Sequence, residues 1–158
     1  NLCKTIDNVD DSILNNETII KLKVSILPTI GSSRDYTVKF NNAIDRGDIA
    51  NNEPTLTSSL FVKNGITLRL QDDGFGTIKS YQITSVTNNH VYQNSAGTID
   101  YDTGEIVLSA FGPDSYSGST FDLTVTPARN DIVSIRNQII IIEDADITVT
   151  MVDENLGQ

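Results

Sequence analysis

The sequence is poor in the residues that most often build reaction centres. It has no Trp, one Met, one Cys and one His among its 158 residues. Cys3 cannot form an internal disulfide and has no His near it in the sequence to activate its thiol. One Cys and one His cannot supply the four ligands of a zinc site, and His90 is the only candidate for a catalytic base. We therefore expect no catalytic residue, no metal ligand and no enzymatic activity.

Basic residues are also scarce. Eleven Lys and Arg stand against 21 Asp and Glu, which gives a formal net charge of −10. This charge repels phosphate and anionic lipid, so nucleic acid is not an expected partner. No apolar run approaches the length of about 20 residues that a membrane-spanning helix needs, so membrane insertion is not expected. Because no Gly-rich loop joins a strand to a helix, we expect no nucleotide cofactor. We also expect no small-molecule substrate.

The abundant residues favour strands. Twenty Ile and seventeen Thr are present, and β-branched side chains pack well on a pleated surface but lose rotamer freedom in helices. The clearest pattern is residues 97–111, GTIDYDTGEIVLSAF. Ile99 and Tyr101 alternate with polar residues on one arm, Ile106, Leu108 and Ala110 alternate on the other, and a Gly-containing turn lies between them. This period of two predicts a β-hairpin with one core-facing side on each arm.

Alternation elsewhere predicts further strands, at residues 18–27, 36–40, 60–63, 66–71, 77–86, 90–93, 120–126, 139–142 and 147–151. The first two of these are expected to pair with each other, and Asn64-Gly65 predicts a type I′ hairpin turn. The predicted fold is therefore all-β, an antiparallel β-sandwich or two adjoining small sheets built from consecutive hairpins.

The predicted domain organisation is simple. Residues 1–17 are a polar N-terminal arm, residues 18–152 form the all-β domain with a long loop at 41–59, and residues 153–158 are a loose tail. The chain begins at Asn1 without an initiator Met, so we expect a piece of a longer polypeptide or a processed product. Within the domain, the most apolar segment contains Ile139, Ile140, Ile141 and Ile142. Side chains in such a run point to both faces of a strand, so these four residues are either core or candidate interface residues.

Two features leave other functions open. Arg46-Gly47-Asp48 in the long loop is a tripeptide that some receptors read, and several turns are rich in carboxylates that calcium prefers as ligands. These turns are residues 7–11, 72–74, 100–102 and 143–146. They suggest, as an alternative, a surface adhesion or calcium-supported binding module. A third possibility is a carbohydrate-binding module, which would need exposed Tyr92, Tyr101 or Tyr116 in a cleft.

Three segments together resemble one known family. They are residues 36–44 (YTVKFNNAI), 97–108 (GTIDYDTGEIVL) and 127–150 (PARNDIVSIRNQIIIIEDADITVT). In this order they are similar to the large, gene-six-type wedge subunit of the tail baseplate of contractile-tailed T-even-like phages. The resemblance implies a virion structural protein without catalytic residues, assembled in the host cytoplasm. Its implied partners are other baseplate proteins, further copies of itself, or both.

Overall fold

The regular secondary structure of the described residues consists of β-strands. A computed structural model describes residues 20–48, 53–84 and 89–129, and within these ranges there are ten strands and no helix that could cross a membrane. The predicted all-β class is confirmed. The strands are β1 (Leu22–Ile26), β2 (Arg34–Lys39), β3 (Thr57–Ser58), β4 (Phe61–Lys63), β5 (Ile66–Asp72), β6 (Thr77–Ile83), β7 (Asn89–Asp100), β8 (Glu105–Phe111), β9 (Ser115–Tyr116) and β10 (Phe121–Val125).

All ten strands belong to one antiparallel sheet. Eight follow the order β1-β10-β3-β5-β6-β7-β8-β2, while β4 pairs with β5 and β9. The sheet curls into a nearly closed, barrel-like shape. Consecutive hairpins build its middle, from β4 to β8, as predicted. The two short strands β3 and β9 were not predicted, and β3 lies inside the segment 41–59 that we expected to be a loop.

Strands β1 and β2 do not pair with each other, so the prediction that the first two strands are partners is wrong. Leu22 of β1 is opposite Val125 of β10, and Val38 of β2 is opposite Ile106 of β8. The link between them, residues 27–33, is too long to impose a tight hairpin. Each strand therefore pairs with a distant segment, and β1 and β2 form the two ends of the sheet order.

Residues 97–111 form the predicted hairpin, and its side chains alternate as predicted until a bulge in β8. Ile99 is opposite Ile106, both are buried, and Gly104 adopts a φ of 70° in the turn. The prediction fails at Ala110, which is exposed and has a φ of 49°. Two residues of β8 lie there opposite one of β2, which turns the next side chain, Phe111, into the core.

The core fills the inside of the curled sheet. Its centre is an aromatic cluster in which the ring of Phe111 lies 5.2 Å from Phe61 and 4.9 Å from Phe121 between centroids. Around it lie buried aliphatic side chains from six strands, among them Val38, Leu68, Leu70, Ile78, Ile106, Leu108, Leu123 and Val125. Burial of this size is the main contribution to stability in a fold without disulfides.

The segment after β2 ties the two ends of the sheet together. Ile44 forms an isolated bridge with Pro127, and its amide donates to the Tyr101 carbonyl at 2.7 Å. The Asp45 amide donates to the Thr126 carbonyl at 2.9 Å. Residues 40–45 therefore cross from the end of β2 to the end of β10, the partner of β1. This crossing holds the curled sheet in shape even though β1 and β2 do not pair.

Candidate functional site

The most distinctive surface feature is the free edge of β1. One side of this strand pairs with β10 from Leu22↔Val125 to Ile26↔Phe121, and the other side has no strand partner among the described residues. We call residues 21–27 the open edge. An unpaired edge presents a row of backbone N–H and C=O groups that can pair with another chain.

The core is incompletely covered beside the open edge. On β10 the inward side chains of Phe121, Leu123 and Val125 are 0% exposed. Their partners in register on β1 also pack against the core but are only half-buried. These partners are Ile26, Val24 and Leu22. Burial thus falls from complete on β10 to partial on β1 across one strand spacing, which is about 5 Å. The exposed part of these apolar side chains therefore lies on the side where a further strand would pair.

The outward side chains of the open edge are basic and polar. Lys21, Lys23 and Ser25 are exposed and alternate with the three apolar residues. At its end Leu27 is 71% exposed, and Ile30 in the following link is 57% exposed. The strand thus has an apolar inner row and a cationic outer row, followed by an apolar surface at one end.

The apolar end is held in place by hydrogen bonds. The Gly31 amide donates to the Pro113 carbonyl at 2.8 Å, and the Thr29 amide donates to the Tyr36 hydroxyl at 2.8 Å. Exposed apolar side chains on a fixed backbone lose little conformational entropy when they bind. The link 27–33 is therefore a candidate extension of the open edge.

The edge strand β2 is less suited to pairing with another chain. Its exposed side chains carry both signs, since Arg34 and Lys39 accompany Asp35, and Lys39 is 2.6 Å from Glu105. The bulge at Asp35 also interrupts its regular register. Charges of both signs and a bulge in the pairing with the neighbouring strand are two features with which natural sheets protect their edges.

A second surface feature is an open cleft of about 470 Å³ that includes part of the Arg46-Gly47-Asp48 tripeptide. It is lined by Lys21, Asp45, Gly47, Asp48, Glu53, Pro54, Thr55 and Thr126. The Arg46 guanidinium carbon lies 5.1 Å from the centroid of the Tyr101 ring, which fits a cation–π contact. The Asp48 and Glu53 backbones exchange two hydrogen bonds. The tripeptide is thus an ordered, exposed turn.

The carboxylates of the predicted acidic turns mainly bind their own backbone. Asp73 Oδ1 accepts hydrogen bonds from the Phe75 amide at 2.9 Å and from the Thr77 amide at 3.0 Å. Asp100 Oδ1 accepts from the amides of Asp102 and Thr103. Over the three described ranges, no three His, Cys, Asp or Glu side chains are grouped so that they could hold a metal ion. The acidic turns at 7–11 and 143–146 lie outside those ranges.

One carboxylate behaves differently because it is buried. Asp72 is 3% exposed, and its Oδ2 accepts a hydrogen bond from the Tyr101 hydroxyl at 2.7 Å. Burial, together with the neighbouring Asp72 carboxylate, raises the pKa of Tyr101 far above its ordinary value. Sequence reasoning missed this pair, because Asp72 looks like any other acidic turn residue. The pair joins the end of β5 to the turn after β7.

The remaining sequence-predicted residues are scattered. His90 is exposed on β7, where Tyr92 is also 40% exposed. Tyr101 is buried and Tyr116 is half-buried, so the exposed tyrosines required for a carbohydrate cleft do not come together. The candidate interface residues Ile139, Ile140, Ile141 and Ile142, together with Cys3, lie outside the described residues. Comparison with protein families, with curated proteins and with solved structures gives no match for this chain.

Proposed function

We propose that this chain is a structural module of a contractile phage tail baseplate that works through contacts with other subunits. The observation that carries the proposal is the open edge, where backbone that has no strand partner in the described ranges lies beside half-buried apolar side chains of the core. Exposed edges of this kind are sites of assembly or of aggregation, and natural proteins normally protect them. An assembly protein gains from keeping one.

The resemblance to wedge subunits supports the same proposal. The first similar segment, residues 36–44, covers most of β2 and the crossing that ties the sheet ends together. The second, residues 97–108, covers the central hairpin. Both segments are parts of the framework that keeps the sheet curled. A mechanical role fits these segments because a continuous ladder of backbone hydrogen bonds distributes load over many strands.

The proposal is tested by looking for the chain in particles. Contractile tails purified from the source phage would be separated into baseplate and tube fractions and analysed by quantitative mass spectrometry. We expect peptides of this chain in the baseplate fraction, in a fixed ratio to other wedge proteins. Their absence from purified tails, with the intact protein present in the lysate, would overturn the proposal.

An adhesion module is the second candidate, favoured by the exposed Arg46-Gly47-Asp48 turn at the cleft. If calcium supports such a module, its melting temperature should rise with calcium and fall with a chelator, because a ligand that binds only the native state stabilises it. The baseplate proposal predicts equal melting temperatures under the two conditions. A calcium-dependent shift would favour the adhesion module.

A further inference from the structure

We propose that the open edge binds an extended segment of a partner polypeptide in which apolar and acidic side chains alternate. This inference rests on the proposed function and adds the chemistry of the partner. The segment would pair with residues 22–26 as an additional antiparallel strand, the binding mode known as β-augmentation. It needs about five residues, which is the length of β1.

The backbone provides the first part of the affinity. In an antiparallel ladder, alternate residues direct their N–H and C=O groups to the same neighbour. The N–H and C=O groups on one side of β1 pair with β10. The N–H and C=O groups on its other side have no strand partner within the described chain. A partner strand would form hydrogen bonds with these groups through its own backbone N–H and C=O groups. This contribution does not depend on sequence, so the side chains must select the partner.

The inner side chains require apolar residues at alternate positions. Leu22, Val24 and Ile26 pack against the core but remain half-buried, whereas the inward side chains of the paired strand β10 are fully buried. Apolar side chains of a partner would complete this cover. Burial of apolar surface stabilises by about 25 cal/mol per Å², so the side chains facing these three residues supply the main driving force.

The outer side chains require carboxylates between the apolar residues. Lys21 and Lys23 lie on the outer face, where directly opposed side chains of paired strands are about 5 Å apart. The protein as a whole has a net charge of −10 and repels acidic chains elsewhere. On a protein of net negative charge, Lys21 and Lys23 therefore attract an acidic segment to β1 and fix the register of that segment.

The same charges argue against pairing between two copies of β1. Two identical edges brought together would place lysines of one copy close to lysines of the other, and like charges on paired strands are destabilising. Lysine on an edge strand is one of the devices that prevent self-pairing. The open edge thus rejects its own copy and accepts a strand of opposite charge, which is the behaviour expected between different subunits.

The test uses the whole chain and a defined peptide probe. The probe is a fluorescein-labelled heptapeptide, Glu-Val-Glu-Val-Glu-Val-Glu, capped at both ends, and binding is followed by fluorescence anisotropy. One control peptide replaces Glu with Lys, and a second carries N-methyl groups on alternate backbone amides. We expect binding of the acidic peptide alone, weakened by salt. In the complex, hydrogen exchange should slow at those amides of residues 22–26 that do not face β10.

Matched variants locate the binding surface. Lys23→Gln should weaken binding of the acidic peptide about two- to fivefold, the range expected for one exposed ion pair. Thr98→Glu changes the net charge by the same amount at an exposed position of β7, five strands away in the sheet order, and should leave binding unchanged. Both positions are exposed, so neither variant should unfold the chain.

Three results would overturn the inference. They are equal binding of the acidic and basic peptides, exchange protection outside β1, and protection in the free chain of the β1 amides that do not face β10. The last result would mean that other residues of this chain cover the edge. The outcome of the peptide experiment is independent of the particle experiment. A chain present in baseplates could use another surface, and a chain absent from them could still bind the peptide.

Discussion

The Tyr101 hydroxyl donates a hydrogen bond of 2.7 Å to the Asp72 carboxylate, and this contact joins the turn between β7 and β8 to the end of β5. The other oxygen of Asp72 accepts from the Leu56 amide at 2.8 Å. A single buried carboxylate therefore connects three segments that are far apart in the sequence. A buried charge is tolerated only when such partners replace its water.

Tyr101→Phe should lower the free energy of unfolding by about 1–3 kcal/mol, because it leaves a buried carboxylate without one of its donors. Urea unfolding at pH 7 measures the change. Tyr81→Phe is the matched control, since the Tyr81 hydroxyl has no hydrogen-bond partner among the described residues, and it should cost less than about 0.5 kcal/mol. Equal effects of the two variants would mean that the Tyr101 contact contributes nothing.

The pH dependence of stability provides a second test of the same pair. The pKa of Tyr101 is raised in the folded chain, first by burial and then by Asp72. The contribution of Tyr101 is therefore complete below the pKa of an unfolded Tyr, about 10, and is lost as pH rises above it. We expect the stability of the wild-type chain to fall more steeply than that of Tyr101→Phe above pH 10, by up to about 1.4 kcal/mol per pH unit. Parallel curves from pH 8 to 11 would contradict this.

Local patterns predicted the parts of the fold that depend on neighbours in the sequence. Asn64-Gly65 forms its turn with φ of 52° and 76°, and Ile99 is opposite Ile106 as the alternation indicated. The pairing of Leu22 with Val125 was not predictable, because any strand with an apolar face fits β1 equally well by pattern alone. The open edge follows from that long-range choice, so it could not be found before the topology was known.

Asp73→Asn should lower stability at neutral pH and flatten its acid dependence. Burial raises the pKa of Asp73, but the amides of Phe75 and Thr77 and the nearby Lys79 outweigh this and hold the pKa below its ordinary value. Because the pKa is lowered on folding, the stabilisation is present above the unfolded pKa of about 4 and is lost as pH falls. We expect a loss of about 1–2 kcal/mol at pH 7, which shrinks below pH 4.

Asp102→Asn provides the control for that experiment, because it removes the same charge from an exposed position of the neighbouring turn. At pH 7 its stability should equal that of the wild type. If the difference between the wild type and Asp73→Asn stays constant from pH 7 to pH 2, the hydrogen bonds to Asp73 do not depend on its charge, and the explanation fails.

Ala110→Gly should stabilise the chain by up to about 1 kcal/mol. Ala110 has a φ of 49°, a left-handed conformation that is unfavourable for a residue with a Cβ atom. Glycine adopts it freely, although part of the gain is lost to greater backbone entropy in the unfolded chain. The hydrogen bond from the Ala110 amide to Asp35 Oδ1, 2.8 Å long, needs no side chain at position 110 and should persist.

The neighbouring residue gives a control of opposite sign. Ser109 is exposed on the same strand and has a φ in the usual negative range. Ser109→Gly should therefore cost about 0.5–1 kcal/mol, the usual cost of glycine within a strand. Thermal unfolding of the two variants should give shifts in opposite directions, and shifts of equal sign would show that the bulge is not strained.

Gly97→Ala should destabilise the chain by about 2–3 kcal/mol. Gly97 is buried opposite Leu108, and a Cβ atom there would collide with the Val107 carbonyl oxygen of β8. That oxygen belongs to the backbone of a paired strand and cannot rotate away, so the ladder between β7 and β8 must open. Gly65→Ala is the control, because its φ of 76° brings strain but nothing lies within 4 Å of the added Cβ; we expect a cost of about 1 kcal/mol. Equal costs would show that β7 and β8 can separate freely at Gly97.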